Sequence, residues 1–309
     1  MATALDPDVI DWLMVGDPVI RWQVMRDLLD RPRDEWEAER RKVAAEGWGA
    51  AFLKHQLPDG RWPEGRWTGA TWTLLLLVDC GMPADIPTMR QAIEAPVQRL
   101  MPSGQPVDRE VLLEQMDLCH LGFWLRFGAF FAPDDPRWPP LAETILGTQL
   151  ADGGWNCRIR MKPKTHHGSF HTTFNILEGL REAANAGVVE GTRFRAAEER
   201  ALEFMLAHRM YRSDRTGEVV SERFTHLSYP SHWHYTVLRG LDYMRLAPEI
   251  RDPRLADPLD MIEGRKKANG RWPVEKRIPG DTLFDMEAMG GDSRWNTLKA
   301  LRVLRAAGR

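Results

Sequence analysis

Gln149-Leu-Ala-Asp152-Gly153-Gly-Trp155 is a turn set between two apolar stretches, and the chain repeats it twice. The other copies are Gln56-Leu-Pro-Asp59-Gly60-Arg-Trp62 and Lys266-Lys-Ala-Asn269-Gly270-Arg-Trp272. Asp or Asn followed by Gly makes a tight turn because both residues tolerate a positive φ. The Trp that follows can plug the seam to the next hairpin. Internal repetition of this kind decides the architecture before any single residue does.

Working outward from the turns, apolar helices are expected to begin near Val19, Ala70, Glu110, Ser169, Ser231 and Ser293, each preceded by a more polar helix. Thr71-Trp-Thr-Leu-Leu-Leu-Leu-Val and His171-Thr-Thr-Phe-Asn-Ile-Leu-Glu-Gly-Leu are apolar or small nearly all round, as inner helices should be. Asp34-Glu-Trp-Glu-Ala-Glu-Arg-Arg-Lys-Val and Arg193-Phe-Arg-Ala-Ala-Glu-Glu-Arg-Ala-Leu carry the dense charge of a solvated outer face. No long period-two alternation bounded by turns marks a strand. The expectation is an all-α chain, one (α/α)6 toroid over residues 1–309, in which six hairpins close into a barrel. A short first outer helix, Pro7 to Val15, closes it against the last.

The chain is 309 residues long with 43% hydrophobic and 28% charged residues, ample for one large core. A net charge of -2 leaves no broad basic field for nucleic acid or an anionic membrane. No apolar run approaches the roughly 20 residues of a membrane span, and the first residues lack the blocks of a signal peptide, so a cytoplasmic location is expected. Cys80, Cys119 and Cys157 are too few and scattered for a disulfide framework and are read as thiols.

The turn and the hairpin repeat resemble the α/α toroid of the squalene cyclase and protein prenyltransferase superfamily over essentially the whole chain. That resemblance implies two chemistries. Proton-initiated cyclisation uses an Asp-x-Asp-Asp cluster, which is absent here; Asp281, Asp285, Glu287 and Asp292 are instead spread through a Gly-rich loop and read as solvated. Zinc-assisted thiol alkylation fits better. Asp117-Leu-Cys119-His-Leu-Gly-Phe123-Trp124 and Phe170-His171-Thr172, running to Gly179-Leu180, are similar to the zinc-bearing helices of prenyltransferase catalytic subunits. The resemblance implies Asp117, Cys119 and His171 as zinc ligands.

The chemistry of those residues agrees. Asp117 and Cys119, two apart, can both reach one ion at a helix start, and His171 opens the next inner helix. Carboxylate, thiolate and imidazole are a borderline-soft set that suits Zn²⁺, and three ligands leave a position open for a substrate thiol or water. Read without the metal, Cys119 is a small buried residue and His171 a hydrogen-bonded one. His120 and His234 are candidate catalytic groups, His234 as a proton shuttle or substrate contact. Cys157, in the turn just after Trp155, is a poorer ligand candidate. Lanthionine-forming cyclases also use a zinc-bearing toroid with two Cys and one His, and Cys119-His120 with Cys157 resembles that set, although not in motif order.

Where prenyltransferases carry basic residues to hold a diphosphate, this chain has Glu114 and Val111, and Arg158, Arg160, Lys162 and Lys164 are the available replacements. Thirteen tryptophans predict an aromatic cavity, with Trp72, Trp124, Phe174, Trp233 and Trp295 as substrate contacts and Arg21 for an anionic group. For Arg21, pairing with Asp17 or Asp27 is the plainer reading. Three functions follow: a zinc-dependent enzyme acting on a small apolar, isoprenoid-like substrate; a metal-free terpenoid-binding or cyclase-like protein with an isolated neutral carboxyl; or a carbohydrate-active helical barrel pairing Glu64 with Asp285 or Glu287. No partner subunit is identifiable.

Overall fold

The structure is a computed structural model that describes residues 5–309. The regular secondary structure of the described residues is almost wholly helical. In chain order the helices are α1 (Pro7–Met14), α2 (Pro18–Asp27), α3 (Arg33–Arg41), α4 (Gly47–Lys54), α5 (Ala70–Cys80), α6 (Thr88–Val97) and α7 (Arg109–Gln115). They continue with α8 (Leu118–Phe131), α9 (Trp138–Leu146), α10 (Phe170–Asn185), α11 (Gly191–Ala207), α12 (Val237–Met244), α13 (Ala256–Glu263) and α14 (Arg294–Ala307). The only strands among them are two-residue pieces, Trp272–Pro273 paired with Asp292–Ser293. No described helix is long and apolar enough to cross a membrane.

The three repeated turns fold alike for the reason their sequences suggest. Gly60, Gly153 and Gly270 have φ of 81, 88 and 76°, a region where a Cβ would be strained. In each, the Asp or Asn side chain accepts from the backbone two residues on, at 3.1, 3.0 and 3.2 Å. Each Trp is sealed from water. Trp155 Nε1 donates to Ile145 O at 3.0 Å and Trp272 Nε1 to Ile262 O at 2.6 Å, so each indole is tied back to the helix preceding its turn.

The chain divides into two compact units. One comprises Met1–His55, Asp79–Pro83 and Leu206–Arg309; the other comprises Gln56–Val78 and Ala84–Met205. In the first, α2 packs on α3 and α14, and α12 packs on α14. The first and last helices meet there: Arg294 Nε donates to Trp12 O at 3.1 Å, and its guanidinium lies 4.5 Å from the Trp12 ring centroid. Its core also holds buried charge. Arg302 binds Asp242 in a two-bond fork, Gln23 at 2.9 Å and Asp27 at 3.0 Å, while Arg245 reaches Asp242 at 2.9 Å. Burial pushes the Asp242 carboxyl up, but the cations Arg302, Arg245 and Lys299 outweigh it and hold the group well below the usual carboxylate range.

In the second unit, α8 and α10 form the most extensive helix pair. Glycines allow the close approach: a Cβ on Gly122 would stand 2.8 Å from Asn175 O and 3.1 Å from Ile176 Cα. Arg126 and Glu178 join the same two helices at 2.8 Å.

Two helix starts differ from expectation. The stretch from Glu110 is not one helix. Asp108 Oδ1 caps α7, accepting from Glu110 N at 3.0 Å, then Met116 and Asp117 are extended and α8 begins afresh at Leu118. The fifth inner helix begins at Val237 rather than Ser231, because Pro230 and a left-handed His232 (φ 48°) interrupt the backbone until Thr236 caps. The remaining inner helices start within a residue of where the periodicity puts them.

Candidate functional site

The break before α8 makes a helix start out of the Asp117-Leu-Cys119 stretch. Asp117 takes the N-cap position, yet its side chain makes no capping bond; it turns out to Arg160 at 3.2 Å. The early N–H groups of a helix need acceptors. The N–H of Cys119 finds one in an unusual place, the sulfur of Cys157, at 3.3 Å.

Cys157 arrives there through the repeated turn. Trp155 N donates to Thr173 Oγ1 at 2.9 Å and Ser169 N donates to Trp155 O at 2.8 Å, zipping the turn to the start of α10. Two residues beyond Trp155, Cys157 N donates to Thr172 Oγ1 at 3.3 Å, and the Thr172 hydroxyl donates to Cys157 Sγ at 3.3 Å. The two thiols are pushed in opposite directions. The hydrogen bond with Cys157 raises the Cys119 thiol, and burial adds to the rise. The same bond lowers Cys157 against burial, helped by the Thr172 hydroxyl and the Cys119 N–H at the positive end of α8.

His120 Nδ1 lies 3.8 Å from Cys119 Sγ. Its ring sits edge-on to Phe123 and Trp72, with centroids 5.5 and 6.2 Å away. Burial lowers its pKa, against the pull of Asp117. His171 is half-buried in the first turn of α10, beside the Thr172 that holds Cys157. Asp117, Cys119 and His171 do not bring three ligand atoms within 4.8 Å of one another. Thus the structure joins Cys119 to His120 and Cys157, a residue the sequence reading ranked low. A signal for it was present: a Cys two places after a buried turn Trp is held by a rigid anchor. Among the aromatic candidates, Trp72 is half-buried, while Trp124 and Phe174 are buried in the cores of α8 and α10. The basic residues Arg158, Arg160, Lys162 and Lys164 are exposed, with Arg160 paired to Asp117.

The other candidates belong to the first unit. Arg21 is committed to Glu39 at 2.5 Å, Gly16 O at 2.7 Å and Glu46 at 3.5 Å, so its carboxylate partners are glutamates rather than Asp17 or Asp27. Trp233 and His234 are half-buried and stacked, with centroids 3.9 Å apart. Trp295 is buried and stacks on Tyr229 at 4.6 Å. Next to this pair lies the acidic loop, and it is not uniformly solvated. Asp281 and Asp285 are exposed, and Asp285 is paired with Arg277 at 2.8 Å. Glu287 instead turns inward, taking the Trp295 N–H at 3.1 Å and the Ser293 hydroxyl. Burial raises its pKa, and the hydrogen bonds from Ser293 and the first N–H groups of α14 only partly offset this. A cavity of about 50 Å³ opens here between Tyr229, His232, Arg277, Phe284, Asp285 and Glu287. Tyr229 Oη and Trp295 Nε1 are buried there, without hydrogen-bond partners. An inward carboxyl with a raised pKa is what an acid needs in order to keep a proton near neutral pH.

No protein-family model and no curated protein matches the chain. Among solved structures, it is similar to type II terpene cyclase MstE from Scytonema in its apo form, at 17% identity and a TM-score of 0.44, over 95% of this chain and 88% of that one. A second MstE structure, a variant in complex with geranylgeranyl dihydroxybenzoate as substrate, matches at 17% identity and a TM-score of 0.41, over 95% and 88%. These similarities assign the chain neither an activity nor a substrate.

Proposed function

We propose that this protein is a zinc-dependent enzyme of the α/α toroid superfamily, transferase-like or cyclase-like, acting on a small apolar, isoprenoid-type substrate against aromatic side chains, with the whole chain working as one toroid domain. The observation that carries the reading is the meeting of Cys119 and Cys157 at the start of α8, with His120 and Asp117 adjoining. Two thiols gathered at one helix start can exchange their protons for one divalent cation, and sulfur with imidazole is a donor set that fits zinc. Cys119 and His120, 3.8 Å apart, would supply a sulfur and a nitrogen; no three of Asp117, Cys119, His120, Cys157 and His171 bring ligand atoms within 4.8 Å of one another as placed, so zinc would have to draw Cys157 and Asp117, or His171, in beside them. Bound zinc would supply Lewis acidity and lower the pKa of a thiol or water in its open position. Thr172 holds Cys157 in place through two hydrogen bonds, and Arg160 restrains Asp117. Trp72 and Phe123 pack edge-on against the His120 ring.

The test is elemental analysis of protein purified without a metal-binding tag. Near one zinc per chain is expected, lost in Cys119→Ser and in Cys157→Ser. Loss in His120→Ala but not His171→Ala assigns the nitrogen to His120; the reverse restores the ligand set read from sequence. No zinc in folded wild type, even after zinc addition, overturns the reading.

A second reading rests on Glu287. An inward carboxyl with a raised pKa beside stacked Tyr229 and Trp295 suits metal-free acid catalysis of a cyclase-like kind, in which Glu287 donates the proton. Under it, Glu287→Gln abolishes turnover of a polyprene substrate while chelators leave turnover unchanged. The zinc reading requires the opposite pair of results.

A further inference from the structure

We propose that Cys119 and Cys157 form a reversible intramolecular disulfide when the protein meets a low-molecular-weight disulfide, so that the second unit carries a thiol–disulfide site. The juxtaposition is the argument. The two residues are 38 apart in sequence, yet Cys119 N lies 3.3 Å from Cys157 Sγ, which places the Cys157 sulfur against the backbone of Cys119. Rotation of the Cys119 side chain about its own Cα–Cβ bond is the movement the disulfide asks for. Cys119 is fixed in the first turn of α8, and Cys157 is fixed by the Trp155 anchor and by Thr172. Both residues are half-buried and so reachable by a small reagent, whereas Cys80 is fully buried.

The chemistry closes without any oxidant beyond that disulfide. One cysteine attacks glutathione disulfide, forming a protein–glutathione mixed disulfide and releasing one glutathione thiol. The second cysteine then attacks the protein sulfur of that bond, giving Cys119–Cys157 and releasing a second glutathione. The protein loses two thiol protons and two electrons, and glutathione disulfide gains them as two thiols. This site shares its sulfurs with the zinc reading but does not depend on it: a disulfide leaves neither sulfur as a thiolate ligand, so bound zinc and the disulfide are alternative states of one pair.

The experiment takes the reduced full-length chain, untreated and chelator-treated, through mixtures of reduced and oxidised glutathione. Intact mass and unreduced peptide mapping are read after acid quenching, and zinc is assayed in the same samples. The expected result is loss of two hydrogens, a linked peptide containing Cys119 and Cys157, a Cys80 alkylated only after denaturation, and reversal by dithiothreitol. Cys119→Ser and Cys157→Ser should each stop at a single glutathione adduct on the remaining partner. Accumulation of adducts in wild type without the linked peptide, or failure of both untreated and chelated protein to link, overturns the proposal. A linked peptide from protein that never held zinc overturns the metal reading alone. Zinc in protein whose chelated form does not link overturns this proposal alone.

Discussion

The two units solve different problems with reactive groups. The first withdraws charge from water: Asp242 is enclosed among Arg302, Arg245 and Lys299, and Glu287 is folded back onto the start of α14. The second assembles its candidate centre from two thiols, which gain charge by losing a proton, and an imidazole, which gains it by taking one up, beside a helix pair in bare backbone contact. Charge in a low-dielectric setting is governed by its partners, and its titration is shifted up or down according to whether they are present. Asp242 has three cations that outweigh burial and is lowered; Glu287 has hydrogen bonds and the single cation Arg294, which do not, and is raised. Sulfur depends on proximity, since one sulfur is a small apolar group and two in contact are a dithiol.

The largest effect that sharpens this contrast is Asp242→Asn. It leaves buried cations uncompensated and should cost about 3–5 kcal/mol in denaturant unfolding. The sign with pH follows from the lowered pKa. Stability from Asp242 is complete above the ordinary aspartate value and is lost as pH falls through the folded one. A wild-type acid limb no steeper than that of Asp242→Asn would break the account.

In the second unit, Gly122→Ala should cost about 1–3 kcal/mol by thermal denaturation, since its new methyl meets backbone of α10 that cannot rotate away. An unchanged melting temperature would mean that the α8 to α10 contact has slack. Thr172→Val removes the hydroxyl from Cys157. It should lower stability by about 1 kcal/mol and zinc affinity by about 10- to 100-fold, measured by competition with a chromogenic chelator.

Glu287→Gln returns to the first unit with the opposite sign to Asp242. A raised acid prefers the folded state when protonated, so the wild type loses stability relative to this variant as pH climbs from the ordinary glutamate value through the raised one, and levels off above it. A flat difference across that window would deny the shift. The smallest effect should be Tyr229→Phe. Its hydroxyl is already buried without a partner, so removing it should leave stability within about 0.5 kcal/mol or raise it slightly.

Much of this was legible in the residues. The repeated turns specify their own hydrogen bonds, so they could be read three times over. The inner helices at Pro18, Ala70, Phe170 and Arg294 follow from caps and apolar runs. The misplaced starts at Glu110 and Ser231 have a common cause: apolar content continues through both breaks, while what stops the helix is backbone geometry at Met116 and His232. The acidic loop was read as solvated from its composition, and for Asp281 and Asp285 that holds. Glu287 departs because the first N–H groups of α14 draw it in.

The sequence by itself determined the all-α class and the turns, because each depends on interactions within a few residues, whose free energies are set by residue type and spacing. Only the tertiary structure decided that Cys157 meets the Cys119 N–H, that Thr172 hydrogen-bonds Cys157, and that Glu287 turns in to the start of α14. Those outcomes turn on which helix ends pack together, and a helix rotation of one residue, about 100°, exchanges one neighbour for another without altering the sequence pattern at all.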